Sequence, residues 1–538
     1  MKAKKLLCVL LAVMMLLGCF TACGDSGNTA GSTSTENQSA GNQTAGNQTT
    51  GTQTSTDAGK NDDRTCVIYA SGVMSTLNFY LAPGYPDRWI ASNVYETLVT
   101  YDSDGNMEYL LAESIETPDN RTVNVNIVKD AKFHNGEPLT AEDVAFTLDE
   151  FTARFPLQNK YRKYIESVTV TGDYSVQIKL NQDNPVFLTY LKDFPIFCKS
   201  WVEAASDPDV KMEENGSGPY KVTNFDGTNI CDLEAWADYR KGEPAIKKAQ
   251  IRYFADSSSA AVSFEAGEIT VMDAPIAQGK ILEASGNYNV QYVAPLHTAI
   301  IAFNCQKAPF DNKLVRQAFT YAADKDTMIQ IAYDGMATRA EIQADVNSFG
   351  VDYSKATLFE YNPEKAKELL AEAGYPDGLD LTAMGIQFKT IAGGYHEKIA
   401  QIYQQNLKDI GVNVEIIATE TPDEDCVAGD YHIMNEGQGY AYEFANNMVQ
   451  YSSSGINGSN FGQWGDSYAD EMWEKVFAEP DRNARLELYK DLVAYIIDAC
   501  PTLPIFHRQA MYLYSKDLNA SFYNDSGHPY RIYDWSWN

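Results

Sequence analysis

Positive charge and histidine are scarce in this chain. Against 73 Asp and Glu stand 42 Lys and Arg, a formal net charge of −31. An anionic partner such as nucleic acid or an acidic membrane surface would have to overcome that repulsion, and neither is expected. There are six histidines in 538 residues. One opens HEKIA (396–400), which begins like a zinc-protease helix, but Ala400 stands where the second His must be. No G-x-S-x-G elbow and no phosphate-cradling G-x-x-x-x-G-K-[ST] loop occurs. Carboxylates are too many for any pair to be singled out. Catalysis is therefore not expected, although an anchored extracellular hydrolase remains the rival class. Cys66, Cys198, Cys231, Cys305, Cys426 and Cys500 show no C-x-x-C and no metal-ligand spacing. No metal or cofactor is expected, and disulfides and isolated buried thiols both stay open.

What is present begins at the N-terminus. Lys2, Lys4 and Lys5 precede twelve apolar residues, LLCVLLAVMMLL (6–17). A spanning helix needs about 20 residues, so this reads as an export signal. FTAC (20–23) follows and resembles the lipobox of bacterial lipoproteins, in which the signal is cut before a cysteine that carries lipid. LLGC (16–19) also fits, so Cys19 is the alternative. Cys23 is preferred because the polar segment starts directly behind it. Residues 24–64 are mainly Gly, Ser, Thr, Asn and Gln, with AGNQT occurring twice. Such a composition cannot form a core and is expected to act as a flexible tether with a span on the order of 35 Å. The expected division is signal 1–22 and lipidated cysteine with tether 23–64, then the folded body. No other stretch is long and apolar enough to cross a bilayer.

From Cys66 onward short strands alternate with helices. CVIYA (66–70) reads as an opening strand and NRTVNVNIV (120–128) alternates with period two. SVTVTGDYSVQIKL (167–180) reads as two strands about a Gly-Asp turn. In NPEKAKELLAEAGY (362–375) the Asn suits an N-cap, Pro363 the first helical position and Gly374 the position after the helix. A strand near 379–384, the helix HEKIAQIYQQNLKDIG and the alternating VNVEII (412–417) predict a βαβ unit and a partly parallel sheet.

Six segments, in order, resemble the family 5 extracellular solute-binding proteins, the peptide and nickel receptors of ABC importers. They are NVYETLVTYDSDGNMEYLLAESIE, KFHNGEPLTAEDVAFTL (132–148), GSGPYKV (216–222), AFNCQKAPFDNKLVRQAFTYAADKDTMI (302–329), EYNPEKAKELLAEAGYPDG and LYKDLVAYIIDACPTLPIF (488–506). The resemblance implies an α/β, two-lobed type II periplasmic-binding-protein fold with a two-segment hinge and an extra subdomain on lobe I. Lobe I would be 65–298 plus 504–538, with the subdomain at about 101–212, and lobe II 299–503. The crossovers would fall near 296–303 and 500–506.

The same resemblance implies a monomeric, extracytoplasmic receptor held at the membrane by its lipid. It would close over a solute, most naturally a peptide, and deliver it to the transmembrane permease of an ABC importer. An oligosaccharide or a nickel chelate is the alternative cargo. The family's dipeptide binders hold the ligand ammonium with an Asp in a "G-D-x-x-D-P" loop. The matching stretch GQGYAYEFANNM (437–448) lacks that Asp, leaving Glu443 as the nearest acid. Their carboxylate-binding Arg is also missing, which makes Lys389 the nearest cation, with His396 second. Tyr440, Tyr442 and Trp464, on Gly-rich stretches, are candidate stacking walls. Asn78 and Phe79 occupy the family's ligand-facing "L-D-P" loop. KFHNGEPLTAEDVAFTL has a helix cap at Thr140 and Asp143 and reads as architecture rather than chemistry.

Overall fold

The computed structural model describes residues 63–538 apart from 83, 103–105, 156–161, 295–296, 345–347, 440–442 and 524–529. Cys23, the expected lipidation site, lies outside these residues, as do Tyr440 and Tyr442. Among the described residues no helix is long and apolar enough to cross a membrane.

Three sheets organise the body. A seven-stranded sheet runs in the order Tyr288–Val293, Ala510–Ser515, Val271–Asp273, Thr65–Ala70, Lys248–Tyr253, Ile230–Ala235 and Tyr220–Phe225. A six-stranded sheet runs Ala337–Arg339, Thr502–Arg508, His297–Phe303, Ile433–Gly439, Gln387–Ile391 and Glu415–Thr419. A four-stranded antiparallel sheet, Ala112–Asp119, Thr122–Ile127, Ser175–Leu180 and Ile165–Gly172, is inserted into the first lobe. The last two strands of this insertion are the pair expected about the Gly-Asp turn.

The expected βαβ unit is present in the second lobe. Gln387–Ile391 pairs parallel with Glu415–Thr419, and the helix Gly394–Asp409 connects them. That helix buries Ile399, Ala400, Tyr403 and Leu407 against the sheet, at the three-and-four spacing of one helical face. Asn362 caps the helix Pro363–Glu372 by accepting from Lys365 N–H at 3.0 Å. The strand expected over 379–384 shrinks to Leu379–Asp380, paired with Val412–Asn413.

The chain passes between the large sheets twice. The first passage lies between Val293 and His297, because each flanking strand pairs in a different sheet. The second lies between Arg508 and Ala510. Thr502–Arg508 pairs with His297–Phe303 and Ala337–Arg339, so residues 504–508 stay with the six-stranded sheet. The expected crossovers near 296–303 and 500–506 are thus displaced to opposite ends of those two strands. Their apolar runs fill a buried central pair of strands and do not bend across the gap: residues 502–507 are all buried.

The inserted subdomain reaches the second lobe. Asn120 Nδ2 donates to Ala478 O at 3.3 Å, and Asn446 Nδ2 donates to Thr189 Oγ1 at 2.9 Å. Cys66, Cys198, Cys231, Cys305 and Cys500 are free thiols, and all of these but Cys305 are buried.

Candidate functional site

KFHNGEPLTAEDVAFTL forms an internal junction. His134 Nε2 donates to Gly218 O at 2.9 Å, and Nδ1 lies 2.9 Å from Glu214 Oε2. The Asp143 carboxylate accepts from the Thr140 amide at 2.9 Å and from its hydroxyl at 3.0 Å. Val144, Leu148 and Phe151 are completely buried. After Phe146 the helix widens into a π turn, Thr147–Phe151. Gly216 belongs to the same junction: a Cβ there would meet Val94 O at 1.9 Å. None of these groups borders the concavity between the two large sheets.

The concavity that fits a solute lies where the two large sheets face each other. It measures about 590 Å³, inside the range of about 300–1,000 Å³ typical of small-molecule sites. Lobe I supplies Tyr69 from the strand Thr65–Ala70 and Ser71 just after it, Tyr85 and Trp89 from the helix Tyr85–Val94, and Asp273 at a strand end. Lobe II supplies Tyr333, Tyr395, Lys398 and Arg508. A groove of about 570 Å³ beside Lys241 and Arg531 has walls from lobe I alone, so a molecule there could not link the lobes. A chamber of about 60 Å³ beside Glu96 and Tyr239 holds space for only a few waters.

Charge in the cleft is polarised. Arg508 is the last residue of its strand, and its Cζ lies 5.8 Å from the centre of the Tyr395 ring. Its Nε is buried without a hydrogen-bond partner. Asp273 stands on the facing lobe, exposed to the cleft water yet surrounded by protein. Desolvation raises its pKa to about 6, with Arg508 opposing the shift. Burial likewise lifts Tyr333 to about 12, again against Arg508. Such surroundings favour a polar solute whose own charges complete the wall.

Behind Arg508 sit three imidazoles. His507 Nδ1 is 3.0 Å from Thr298 Oγ1. Asn435 Nδ2 donates to His396 O at 2.8 Å, which turns its Oδ1 toward His396 Nδ1 at 3.0 Å and places the proton on Nδ1. Burial pulls His396 down to about 4, and His297 well below its usual value, with Arg508 adding to the shift. His297 packs beneath Gly437, where a Cβ would fall 2.3 Å from the imidazole. No group of three or more potential metal ligands forms among the described residues.

Asn78, Phe79, Lys389, Glu443 and Trp464, five of the residues expected to contact solute, have partners within the protein. Asn78 is fully buried; its Oδ1 accepts from Tyr80 N–H at 2.9 Å and its Nδ2 donates to Asp209 O at 2.5 Å. Phe79 packs edge-on against Tyr80 in the lobe I core. Lys389 pairs with Asp425 at 3.1 Å and Asp430 at 3.7 Å. Glu443 accepts from Tyr489 Oη at 3.0 Å and lies 3.4 Å from Arg485 Nε. Trp464 is a core residue near Tyr495. Sequence reasoning passed over Tyr85, Trp89, Asp273, Tyr333, Tyr395 and Arg508. Arg508 had a usable signal: it is a lone cation closing the apolar run TLPIFHR (502–508).

The model of the bacterial extracellular solute-binding proteins, family 5, matches residues 106–460. The chain belongs to this family. The oligopeptide-binding protein AppA of Bacillus subtilis is 26% identical, the match covering 99% of both chains. The glutathione-binding protein GsiB of Pectobacterium atrosepticum is 29% identical over 66% of this chain and 70% of its own. Among solved structures, the ABC transporter substrate-binding protein CtaP of Listeria monocytogenes superposes with a TM-score of 0.80. It has 23% identity and covers 88% of this chain and 99% of that one. The fold of this family 5 protein is that of the type II periplasmic binding proteins.

Proposed function

We propose that this protein is the lipid-anchored substrate-binding component of an ABC importer, that its cargo is a short peptide, and that it delivers this cargo to a membrane permease. The single observation that carries the reading is a cleft with walls from both lobes and opposite charges on them, Arg508 on one and Asp273 on the other. A ligand that touches both lobes stabilises their closed arrangement, whereas one confined to a single lobe leaves the equilibrium where it was. A peptide carries both charges and an amide backbone, and the aromatic residues of the cleft offer it apolar contact. The names of two relatives, oligopeptide-binding and glutathione-binding, agree with a peptide cargo. No bond of the cargo is made or broken in this reading. Anchoring would be through Cys23, outside the described residues.

Thermal-shift screening of the protein against peptide, oligosaccharide and metal-chelate libraries tests the cargo. A ligand at about 100 times its Kd adds about 2.7 kcal/mol of stability. Melting that rises with sugars or chelates and with no di- to pentapeptide would end the peptide assignment. Anchoring is tested by Cys23→Ser, which should move the protein from the membrane fraction to the medium or periplasm.

A further inference from the structure

Arg508 occupies an unusual position for a cation in this acidic molecule. The other deeply placed cations of lobe II are engaged: Lys325 pairs with Glu341, Arg485 with Glu443, and Arg339 with Glu341 and Glu360. Arg316 donates to the carbonyls of Phe310, Ala499 and Cys500. Around Arg508 the cleft offers Tyr85, Tyr333, Tyr395 and Tyr512; Tyr395 shares a hydrogen bond with it, Asp273 acts on it through space, and no salt bridge of Arg508 forms among the described residues. Its Nε is buried and unmet, and a guanidinium has five N–H groups to satisfy. A buried donor left unmade is costly, so the arrangement calls for an acceptor from outside the chain.

The position is also held from both sides. Gln509 N–H donates to Met336 O at 3.3 Å, and Tyr333 Oη donates to Gln509 O at 3.2 Å. Ala510 then pairs with Val293 in the sheet of the other lobe. The backbone directly after Arg508 is therefore held to both lobes, and Arg508 stands at the crossover itself.

We infer that Arg508 is the anchor for a carboxylate of the solute, seated at the hinge end of the cleft, and that the cargo class is peptides with a free C-terminus. The inference rests on the peptide reading. It replaces Lys389, held by Asp425, as the carboxylate-binding cation. The cargo runs from Arg508 toward the acids of lobe I, where Asp273 and Asp256 border the cleft, with its ammonium at that end. Guanidinium and carboxylate meet through two parallel N–H···O bonds, a geometry that an amidated terminus cannot reproduce.

The test uses the full chain and a synthetic tripeptide library in two forms, free acid and C-terminal amide, with retained peptides counted by native mass spectrometry and Kd values taken by calorimetry. The expected result is that free acids bind about tenfold or more tightly than their amides, that Arg508→Gln abolishes this preference, and that Arg508→Lys restores part of it. Melting curves of both variants, within a few degrees of the parent, establish that they fold. Equal binding of acids and amides by the parent protein overturns the anchor while leaving the peptide reading intact. So does a preference that survives in Arg508→Gln, including one set by peptides with Asp or Glu side chains. Binding of neither form overturns both.

Discussion

Glu443 supplies the sharpest test of how structure reassigns a residue. Its carboxylate is almost fully buried, accepts from Tyr489 Oη at 3.0 Å, and stands 3.4 Å from Arg485 Nε. Burial raises its pKa, opposed by Arg485, Tyr489 and Arg482. Glu443→Ala would leave the Arg485 guanidinium, with 6% of its side chain exposed, facing an empty space. Breaking such a buried pair costs about 3–5 kcal/mol. The lower end applies here, because Arg485 Nη1 keeps Glu479 O at 3.0 Å and Pro480 O at 3.4 Å. In a unit of about 150–250 residues each kcal/mol moves Tm by about 2–4 °C, so the lobe II transition should fall by about 6–12 °C in scanning calorimetry. Glu443→Gln retains an acceptor for Tyr489 and should cost roughly 1 kcal/mol. Peptide affinity should change less than threefold in both. Melting within 2 °C of the parent for Glu443→Ala, or a tenfold loss of affinity at unchanged melting, would refute the reasoning and return Glu443 to the ligand.

Other substitutions probe different parts of the fold. His134→Ala removes contacts to Glu214 and Gly218 and should destabilise lobe I by about 2–3 kcal/mol with ligand affinity unchanged; a selective loss of affinity counts against the junction. Arg316→Met leaves the carbonyls closing the helix Arg482–Ala499 unmet and should cost about 3 kcal/mol, read as a lower unfolding midpoint in urea. Asp273 has its folded pKa raised from 3.8 to about 6, so the folded state binds the proton more tightly. Its contribution favours folding below pH 3.8 and is lost as pH rises toward 6. Because the group is exposed to cleft water, the gain from Asp273→Asn at pH 7.5 should be at most about 1 kcal/mol, vanishing at pH 3.5. A gain of equal size at both pH values would disprove the origin. His396, lowered from 6.5 to about 4 by burial, acts oppositely: stability falls as pH drops from 6.5 toward 4, and His396→Gln should flatten the ligand-free melting curve in that window.

The elements legible in the sequence are those whose signals are local. Asn362-Pro363 marks a helix start through one side-chain acceptor and one missing N–H, and both lie within four residues of the turn they serve. The alternation of Thr122–Ile127 marks a half-exposed strand for the same reason. Crossovers carry no such mark. TLPIFHR reads equally well as a buried strand or as a connection, and only its pairing with His297–Phe303 decides. Site residues were harder still. A tyrosine in a cleft and a tyrosine in a core share composition and spacing, so Trp464 and Tyr85 could not be told apart until neighbours from distant segments were placed around them. Lys389 was chosen for its position relative to a missing Arg, but its acceptors, Asp425 and Asp430, come from a helix and a turn some 36 and 41 residues later. The π turn after Phe146 likewise has no local residue that announces it.

The free cysteines of the body set how the protein meets an oxidising exterior. Burial pushes Cys66, Cys231 and Cys198 upward, Cys305 to about 11 and Cys500 to about 12. At neutral pH these sulfurs are thiols rather than thiolates, and the thiolate is the form that reacts with oxidants and disulfides. Among the described residues Cys66, Cys198, Cys231, Cys305 and Cys500 form no disulfide, so no covalent bond through them has to be made for these segments to pack. Nor is there a bond through them to break when the redox poise of the surroundings swings. For the buried thiols this inertness comes from packing, so unfolding is what opens them to thiol chemistry, whereas Cys305 is only partly covered.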